Sequence, residues 1–324
     1  MLPIVSYNLK SILEGGLSLL PGFGQILGNR TRGTDSARYC YSVWMRHLQY
    51  IHNHCRKPLK GWVVELGPGD SLGTGMAALL SGSSRYFAVD VSRHANSQRN
   101  MKVLEQLVSL FADRSPIPDN KEFPELKPHI DDFRFPENIL DNAWMEKNLD
   151  PRRLQAIADC LLETGKDASP IQYINPLSAS TAIVPGSVDL VFSQAVLEHV
   201  EDLSSLYRTC RTWLKPRGLM SHQIDFRSHG TSSEWNGHWA YPQKLWRLIR
   251  GNRTYLLNRE PCSTHLRLLS ENGFQMVIEE RARLSSRLRQ GQLAAPFRTL
   301  SEMDLTTSGV YLLSQTTNRE LRLN

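Results

Sequence analysis

The sequence lacks most features that mark special protein classes. Its five cysteines, Cys40, Cys55, Cys160, Cys210 and Cys262, are odd in number and contain no C-x-x-C pair. Neither a disulfide framework nor a zinc site is expected, and they read as buried free thiols. Long apolar runs are also missing. Residues 15–28 form a charge-free stretch of 14 residues, but glycines and Pro21 interrupt it, and a spanning helix needs roughly 18 or more apolar residues. No basic start or small-residue cleavage site marks a secretory signal. The expectation is a cytoplasmic protein without stable membrane insertion. No internal repeat or low-complexity tract is present. With 40% hydrophobic and 22% charged residues, the chain is close to the globular average, which excludes a disordered or fibrous class. Its 324 residues suit two domains, or one large domain with additions, at about 150 residues each.

Charge is present but uneven. The net +6 divides into +6 over residues 1–60, −4 over 61–280 and +4 over 281–324. A basic segment holding Tyr39, Tyr41, Trp44 and Tyr50 has the ingredients of a nucleic-acid surface. However, Tyr41, Trp44, Leu48 and Ile51 recur at helical spacing. That spacing predicts a helix over 35–51 with its aromatics on a packed face. Nucleic acid is therefore not expected as a partner. A small acceptor that is acidic or phosphate-bearing fits the same charge. The oligomeric state is left open.

From Gly61 onward, strand and helix signals alternate. Strands are predicted at 62–66, 86–90, 171–174, 187–192, 218–226, 274–280 and 310–314. Helical patterns fall at 73–80, on Met101, Leu104, Val108 and Phe111, on Leu203, Leu206, Tyr207, Cys210 and Leu214, and at 264–272. Strands separated by helices of this length predict an α/β fold: a doubly wound, mostly parallel, Rossmann-like sheet of seven strands covered on both faces. Ligands of such sheets bind beyond the carboxyl ends of the strands, at the switch point. Residues 1–60 are read as an N-terminal helical cap and 61–324 as the core. The interval 113–149 carries Pro116, Pro118, Pro124, Pro128 and Pro136; it reads as an insertion that acts as a lid. Asp150-Pro151 then starts a new helix, a cap residue followed by proline at the first position.

The segment Val63-Val-Glu-Leu-Gly-Pro-Gly-Asp-Ser-Leu-Gly73 has the strand–loop–helix context of a nucleotide site. Gly67 and Gly69 permit close backbone approach. A dinucleotide fingerprint needs glycine at Leu72, and no lysine follows to make a phosphate loop. The loop therefore suits a nucleoside without a pyrophosphate. Asp90, at the end of the second strand, is placed to accept both ribose hydroxyls.

Glu65-x-Gly67-x-Gly69 followed by Val89-Asp90 resembles the first two motifs of class I S-adenosylmethionine-dependent methyltransferases. Val188-Asp-Leu-Val-Phe-Ser-Gln-Ala-Val-Leu-Glu-His-Val200 resembles the fourth-strand region of their small-molecule branch, and Leu214-Lys-Pro-Arg-Gly218 the start of the fifth strand. The resemblance covers roughly 61–226, and 262–315 more loosely. It implies S-adenosyl-L-methionine as cofactor. Gly67, Pro68 and Gly69 would cradle the methionine portion, and Asp90 with Val91 would hold the ribose. Glu65 would orient the loop or reach the amino group through water, and Ser193 and Gln194 would border the methionine side. Two departures stand out. Ser71 replaces the usual third glycine, and no acid marks the adenine site near 178–181. The Asn/Asp-Pro-Pro-aromatic motif of nucleic-acid amino-methyltransferases is absent: its place reads Ser193-Gln194-Ala195-Val196, and Asn175-Pro176 comes one strand too early.

Methyl transfer from a sulfonium needs alignment and, for a hydroxyl acceptor, a base. The ends of the fourth and fifth strands offer Glu198, His199, His222, Asp225 and His229, with His238 beyond. His229 is expected as base with Asp225 orienting it, and His199 as the next candidate or a structural helix start. His222 falls inside the strand and reads as packed. Trp239, Tyr241, Trp246 and Tyr255 either wall the acceptor or pack the core. The leading expectation is O-methylation of a sugar or secondary-metabolite hydroxyl, without a metal. N- or C-methylation and a non-catalytic cofactor-binding subunit are the alternatives.

Overall fold

A computed structural model describes residues 7–20, 33–92, 94–162, 170–253, 256–286 and 288–317. The strands are β1 Trp62–Leu66, β2 Arg85–Val89, β3 Ile171–Ile174, β4 Val188–Gln194, β5 Leu214–Asp225, β6 Phe274–Arg283 and β7 Thr307–Thr316. The first helices are α1 Leu9–Ser18, α2 Ala37–Cys55, α3 Gly73–Leu80, α4 Ser97–Ala112, α5 Asn142–Asn148 and α6 Pro151–Leu162. After them come α7 Pro176–Ala182, α8 Leu203–Trp213, α9 Gln243–Arg250, α10 Cys262–Glu271 and α11 Glu302–Thr306.

The seven strands form one sheet in the order β3-β2-β1-β4-β5-β7-β6. Strands β1 to β5 pair in parallel, and β7 runs antiparallel to both β5 and β6. This is the expected doubly wound α/β sheet. Its switch point lies between β1 and β4, where the chain, having built β2 and β3 on one side, returns on the other. Helices cover both faces. Val63, Leu190 and Phe192 pack with Tyr41, Trp44, Met76 and Leu104 on the side of α2, α3 and α4. Val64, Val191 and Met220 pack with Tyr207 and Leu268 on the side of α8 and α10. Burial on both faces explains why β1 and β4 read as continuous apolar runs rather than alternating ones.

Helix α2 has the packed aromatic face its spacing predicts: Tyr41, Trp44 and Ile51 are fully buried. It starts where the Ser36 side chain accepts from the Tyr39 N–H. The Trp44 ring lies 5.4 Å from that of Phe192 on β4, so α2 is a layer of the main core. Helix α1 goes elsewhere and packs on α9. Strand β5 begins at Leu214, earlier than predicted, because Leu214 pairs with Val188 across a register shift. The segment Lys215-Pro216-Arg217 spans that irregularity, where a missing proline N–H costs no ladder bond.

The proline-rich interval 113–149 is mostly turns, yet Ile117, Ile130, Phe135, Leu140 and Met145 belong to the same cluster as α2. Arg46 of α2, fully buried, gathers its backbone. One Nη1 donates to Asn120 Oδ1 and the Pro128 carbonyl at 3.0 and 3.2 Å, and Nη2 donates to the Pro118 carbonyl at 3.1 Å. A segment with few backbone partners of its own is satisfied through one guanidinium. The insertion is thus a packed wall, and its edge reaches the strand ends through Glu125, which accepts from Arg227 Nη1 at 2.8 Å.

Candidate active site

The loop after β1 bends on two left-handed glycines, Gly67 at φ +63° and Gly69 at φ +76°. The Gly67 N–H donates to the Val89 carbonyl at 2.8 Å, which ties the loop to the end of β2. A Cβ on Gly67 would stand 2.7 Å from Val196, and one on Gly69 2.8 Å from Thr34 Oγ1. Neither position has room for a side chain. Pro68 between them is buried. Thr34 covers the outer side of the loop, where its Oγ1 accepts from the Asp70 N–H at 2.7 Å. Ser71, at the place of the third glycine, accepts from the Gly73 N–H at 3.1 Å. Its hydroxyl also donates to the Thr34 carbonyl, so it links the start of α3 to the segment that covers the loop, which a glycine has no side chain to do.

Glu65 points inward. Its Oε2 accepts from the Tyr86 hydroxyl at 2.6 Å. Burial pushes the carboxyl up to about 7, opposed by hydrogen bonds from Tyr86, Thr74 and the Gly75 backbone. These bonds join β1, β2 and α3, so Glu65 braces the loop. Asp90 follows β2, its N–H donating to the Ile174 carbonyl at 3.1 Å, and its Oδ1 accepts from the Ser92 N–H at 3.2 Å. Burial raises its pKa, with backbone N–H groups acting against the shift. Beside it Val91 is 60% exposed, an uncovered apolar side chain. Since Leu66 pairs with Val89, Gly67, Gly69 and Asp90 stand together at the carboxyl ends of two adjacent strands.

At the end of β4 the two neighbouring residues expected at the opening separate. Successive side chains of a strand point to opposite faces. Ser193 is fully buried, its Oγ sharing a hydrogen bond with His222 Nδ1 at 2.7 Å. Its side chain therefore does not border the opening. Gln194 is half-buried, with Oε1 3.3 Å from His47 Nε2. A buried chain continues from there: His47 Nδ1 to Ser221 Oγ at 2.6 Å and Ser221 Oγ to the Tyr311 hydroxyl at 2.7 Å. Burial holds His47 down to about 4.

Beyond β4 and β5 the structure assembles a second cluster. Asp225 is 8% exposed. Arg227 grips its carboxylate through Nε at 2.9 Å and Nη2 at 2.7 Å, and His229 Nε2 lies 3.2 Å from Asp225 Oδ2. Burial raises the Asp225 pKa, but the hydrogen bonds from His229 and Arg227 outweigh it and hold the carboxyl well below the usual range. His229 adopts a left-handed backbone, φ +46°, and its ring centre is 5.3 Å from that of His199. Burial pushes His199 down to about 4. Glu198 is 2% exposed, and neither carboxyl oxygen has a well-formed hydrogen bond. Burial raises its pKa well above the ordinary value, and the nearby Asp225 carboxylate adds to the shift. His238, its ring 4.7 Å from that of Trp239 and tilted to it, is pushed to about 3 by burial. His222 is packed in the strand, as its position predicts.

The aromatics past the site resolve toward packing: Trp239 and Tyr241 are fully buried and Trp246 is 3% exposed. Tyr255 lies outside the described residues. A cleft of about 660 Å³ runs past Trp246, Arg259 and Phe297, and another of about 720 Å³ past Arg114, Asp132 and Phe135. Neither includes the glycine loop, which Thr34 covers. Among the described residues, no three or more His, Cys, Asp and Glu side chains are placed to hold a metal ion.

Sequence reasoning missed Thr34, His47, Arg227 and Arg46. His47 did carry a signal, since it shares the buried face of α2 with Trp44 and Ile51. Arg227 follows Asp225 at a spacing that lets the guanidinium fold back on the carboxylate.

A family described as Methyltransferase domain matches residues 153–221, from α6 into β5. No curated protein matches the sequence. Many solved structures are similar to this chain. An S-adenosylmethionine dependent methyltransferase from Mesorhizobium loti is 17% identical over 87% of this chain and 100% of its own, with a TM-score of 0.40. A phosphoethanolamine N-methyltransferase 2 from Haemonchus contortus is 13% identical over 92% of this chain and 61% of its own, with a TM-score of 0.43. An S-adenosylmethionine-dependent methyltransferase from Methanosarcina mazei is 13% identical over 83% and 98%, with a TM-score of 0.42.

Proposed function

We propose that this chain, which its fold and domain match make a class I S-adenosyl-L-methionine-dependent methyltransferase, methylates a hydroxyl oxygen of a small acceptor such as a sugar or secondary metabolite. The observation that carries the oxygen assignment is the His229–Asp225 pair, 3.2 Å apart at the carboxyl end of β5. An amine gains less from a base, whereas a hydroxyl must lose its proton.

The glycine loop suits the donor, since both left-handed glycines leave its backbone without a side chain beside Asp90. Gly67 and Gly69 bring the backbone close, Asp90 accepts the ribose hydroxyls, and Val91 offers an apolar surface beside it. When bound, the donor supplies the electrophilic methyl on its sulfonium. The chain supplies alignment and the base. Arg227 keeps Asp225 ionised, so the carboxylate accepts from the His229 Nε2–H. That fixes the tautomer and leaves Nδ1 to take the acceptor's proton, with Asp225 stabilising the imidazolium. Burial pushes His199 down to about 4, and among the described residues no carboxylate is hydrogen-bonded to it as Asp225 is to His229.

The positive net charge also suits an anionic acceptor. Around the strand ends, however, Arg38, Arg99 and Arg227 each already face an acid. The test is His229→Ala assayed by mass spectrometry against an acceptor library. Turnover should fall at least about a hundredfold while S-adenosylhomocysteine binding is nearly unchanged. Wild-type turnover in the variant assigns the base elsewhere, and His199 is next.

A further inference from the structure

Helix α1 is built inside out. Its buried positions are Ser11, Gly15 and Ser18. They let it lie close on α9: a Cβ on Gly15 would stand 2.1 Å from the Leu248 carbonyl oxygen. The leucines take the opposite side. Leu9, Leu13 and Leu17 recur one turn apart and are 67, 58 and 46% exposed, and Leu20 beyond the helix is 51% exposed. The surface helix of a globular domain normally turns its large apolar residues to the core. Here Ser11, Gly15 and Ser18, with Ile12 at their edge, make the core contact and the leucines face out. Leu248 of α9, 39% exposed, extends the patch past Gly16. A contiguous exposed apolar patch marks an interaction surface.

The flanking charge identifies the partner. Lys10 lies on one side of the stripe. On the other, Lys244 sits one turn before Leu248, with Arg247 beside it, all exposed. Helix α9 contains no acid. The one acid of α1, Glu14, is held by Arg253 at 3.2 Å and faces Lys10 at 3.8 Å. Leucines flanked by cations match the boundary of an anionic bilayer, where apolar side chains enter the acyl edge and ammonium and guanidinium groups meet the headgroups. No described helix is long and apolar enough to cross a membrane, so the contact is peripheral. We propose that α1 and the exposed edge of α9 dock this protein on an anionic lipid bilayer.

The test is sedimentation of the full chain with phosphatidylcholine vesicles that contain or lack phosphatidylglycerol. Binding to the anionic vesicles should be at least about tenfold stronger and should weaken with added salt. The pair Leu13→Glu and Leu17→Glu, and separately Lys244→Glu with Arg247→Glu, should each remove about tenfold or more. Circular dichroism and S-adenosylhomocysteine binding should stay as in wild type, since all four side chains are exposed. A wild-type chain with no preference for anionic vesicles overturns the proposal. In that case, a dimer that the leucine variant dissolves makes a second copy the occupant. A monomer that the leucine variant destabilises places the cover within the chain, in a segment such as residues 21–32.

Discussion

The two halves of the strand-end surface are built on different principles. At β1 and β2 the chemistry is carried by backbone: two glycines that cannot accept a Cβ, a loop N–H bonded to Val89, and one carboxylate at Asp90. At β4 and β5 it is carried by side chains, with Asp225, Arg227, His229, His199 and Glu198 adjusting one another's charge. In the proposed function the first half is a receptacle, whose parts matter for what fits, and the second a proton-handling cluster, whose parts matter for which group holds a proton. Variants in one half should therefore change affinity, and variants in the other turnover.

The largest effect is expected at Asp225. Replacing it with Asn removes the carboxylate that accepts from His229 Nε2 and lets the imidazole take the other tautomer. Turnover should drop by roughly a hundredfold or more with the donor-product affinity retained. If S-adenosylhomocysteine binding collapses in a folded Asp225→Asn protein, the two halves are one unit and the division fails.

Next comes Asp90→Ala. A charged acceptor of two hydroxyl hydrogen bonds contributes about 1.5–3 kcal/mol, so the S-adenosylhomocysteine dissociation constant should rise from roughly tenfold to more than a hundredfold. An unchanged constant removes Asp90 from the ribose site.

Stability against pH sharpens the same contrast with a smaller effect. Burial lowers His47 to about 4 and His222, His238 and His265 to about 3. Their folded pKa lies below the unfolded value of about 6.5, so the unfolded chain binds more protons between the two. Stability is full above about 6.5 and is lost as pH falls toward 3–4. Glu65 has the opposite sign. Its folded pKa, raised to about 7, exceeds the unfolded value, so stability is full below about 4.5 and is lost as pH rises through 7. Urea midpoints should fall from pH 7 to pH 5. Glu65→Gln should gain about 1–3 kcal/mol over wild type at pH 8 and little at pH 5. An equal gain at both values contradicts burial of Glu65 as the neutral acid.

The glycine loop after β1 is largely legible in the sequence because its turn is local. Gly67 and Gly69 are visible as glycines, and Asp90 closes an apolar run. Strands β1 and β4 stand out as short buried runs, and α2 by its aromatic spacing. What depends on distant pairing was not legible. The antiparallel sense of β7 follows from its seat between β5 and β6. Arg46, Thr34 and Arg227 look like ordinary surface residues until the insertion, the glycine loop and Glu125 are brought to them. Ser193 and Gln194 were read as a pair, and the alternation of the strand divides them. Ser71 reads as a departure from the glycine pattern, and in the fold its hydroxyl joins the Thr34 carbonyl to the Gly73 N–H.

The most direct measurement is a calorimetric titration of the full chain with S-adenosylhomocysteine and, separately, with NAD. A loop with Gly67 and Gly69, a neighbouring Asp90 and Leu72 in place of a third glycine predicts micromolar binding of the first and no comparable binding of the second. Binding of NAD with S-adenosylhomocysteine ignored contradicts the reading of this site.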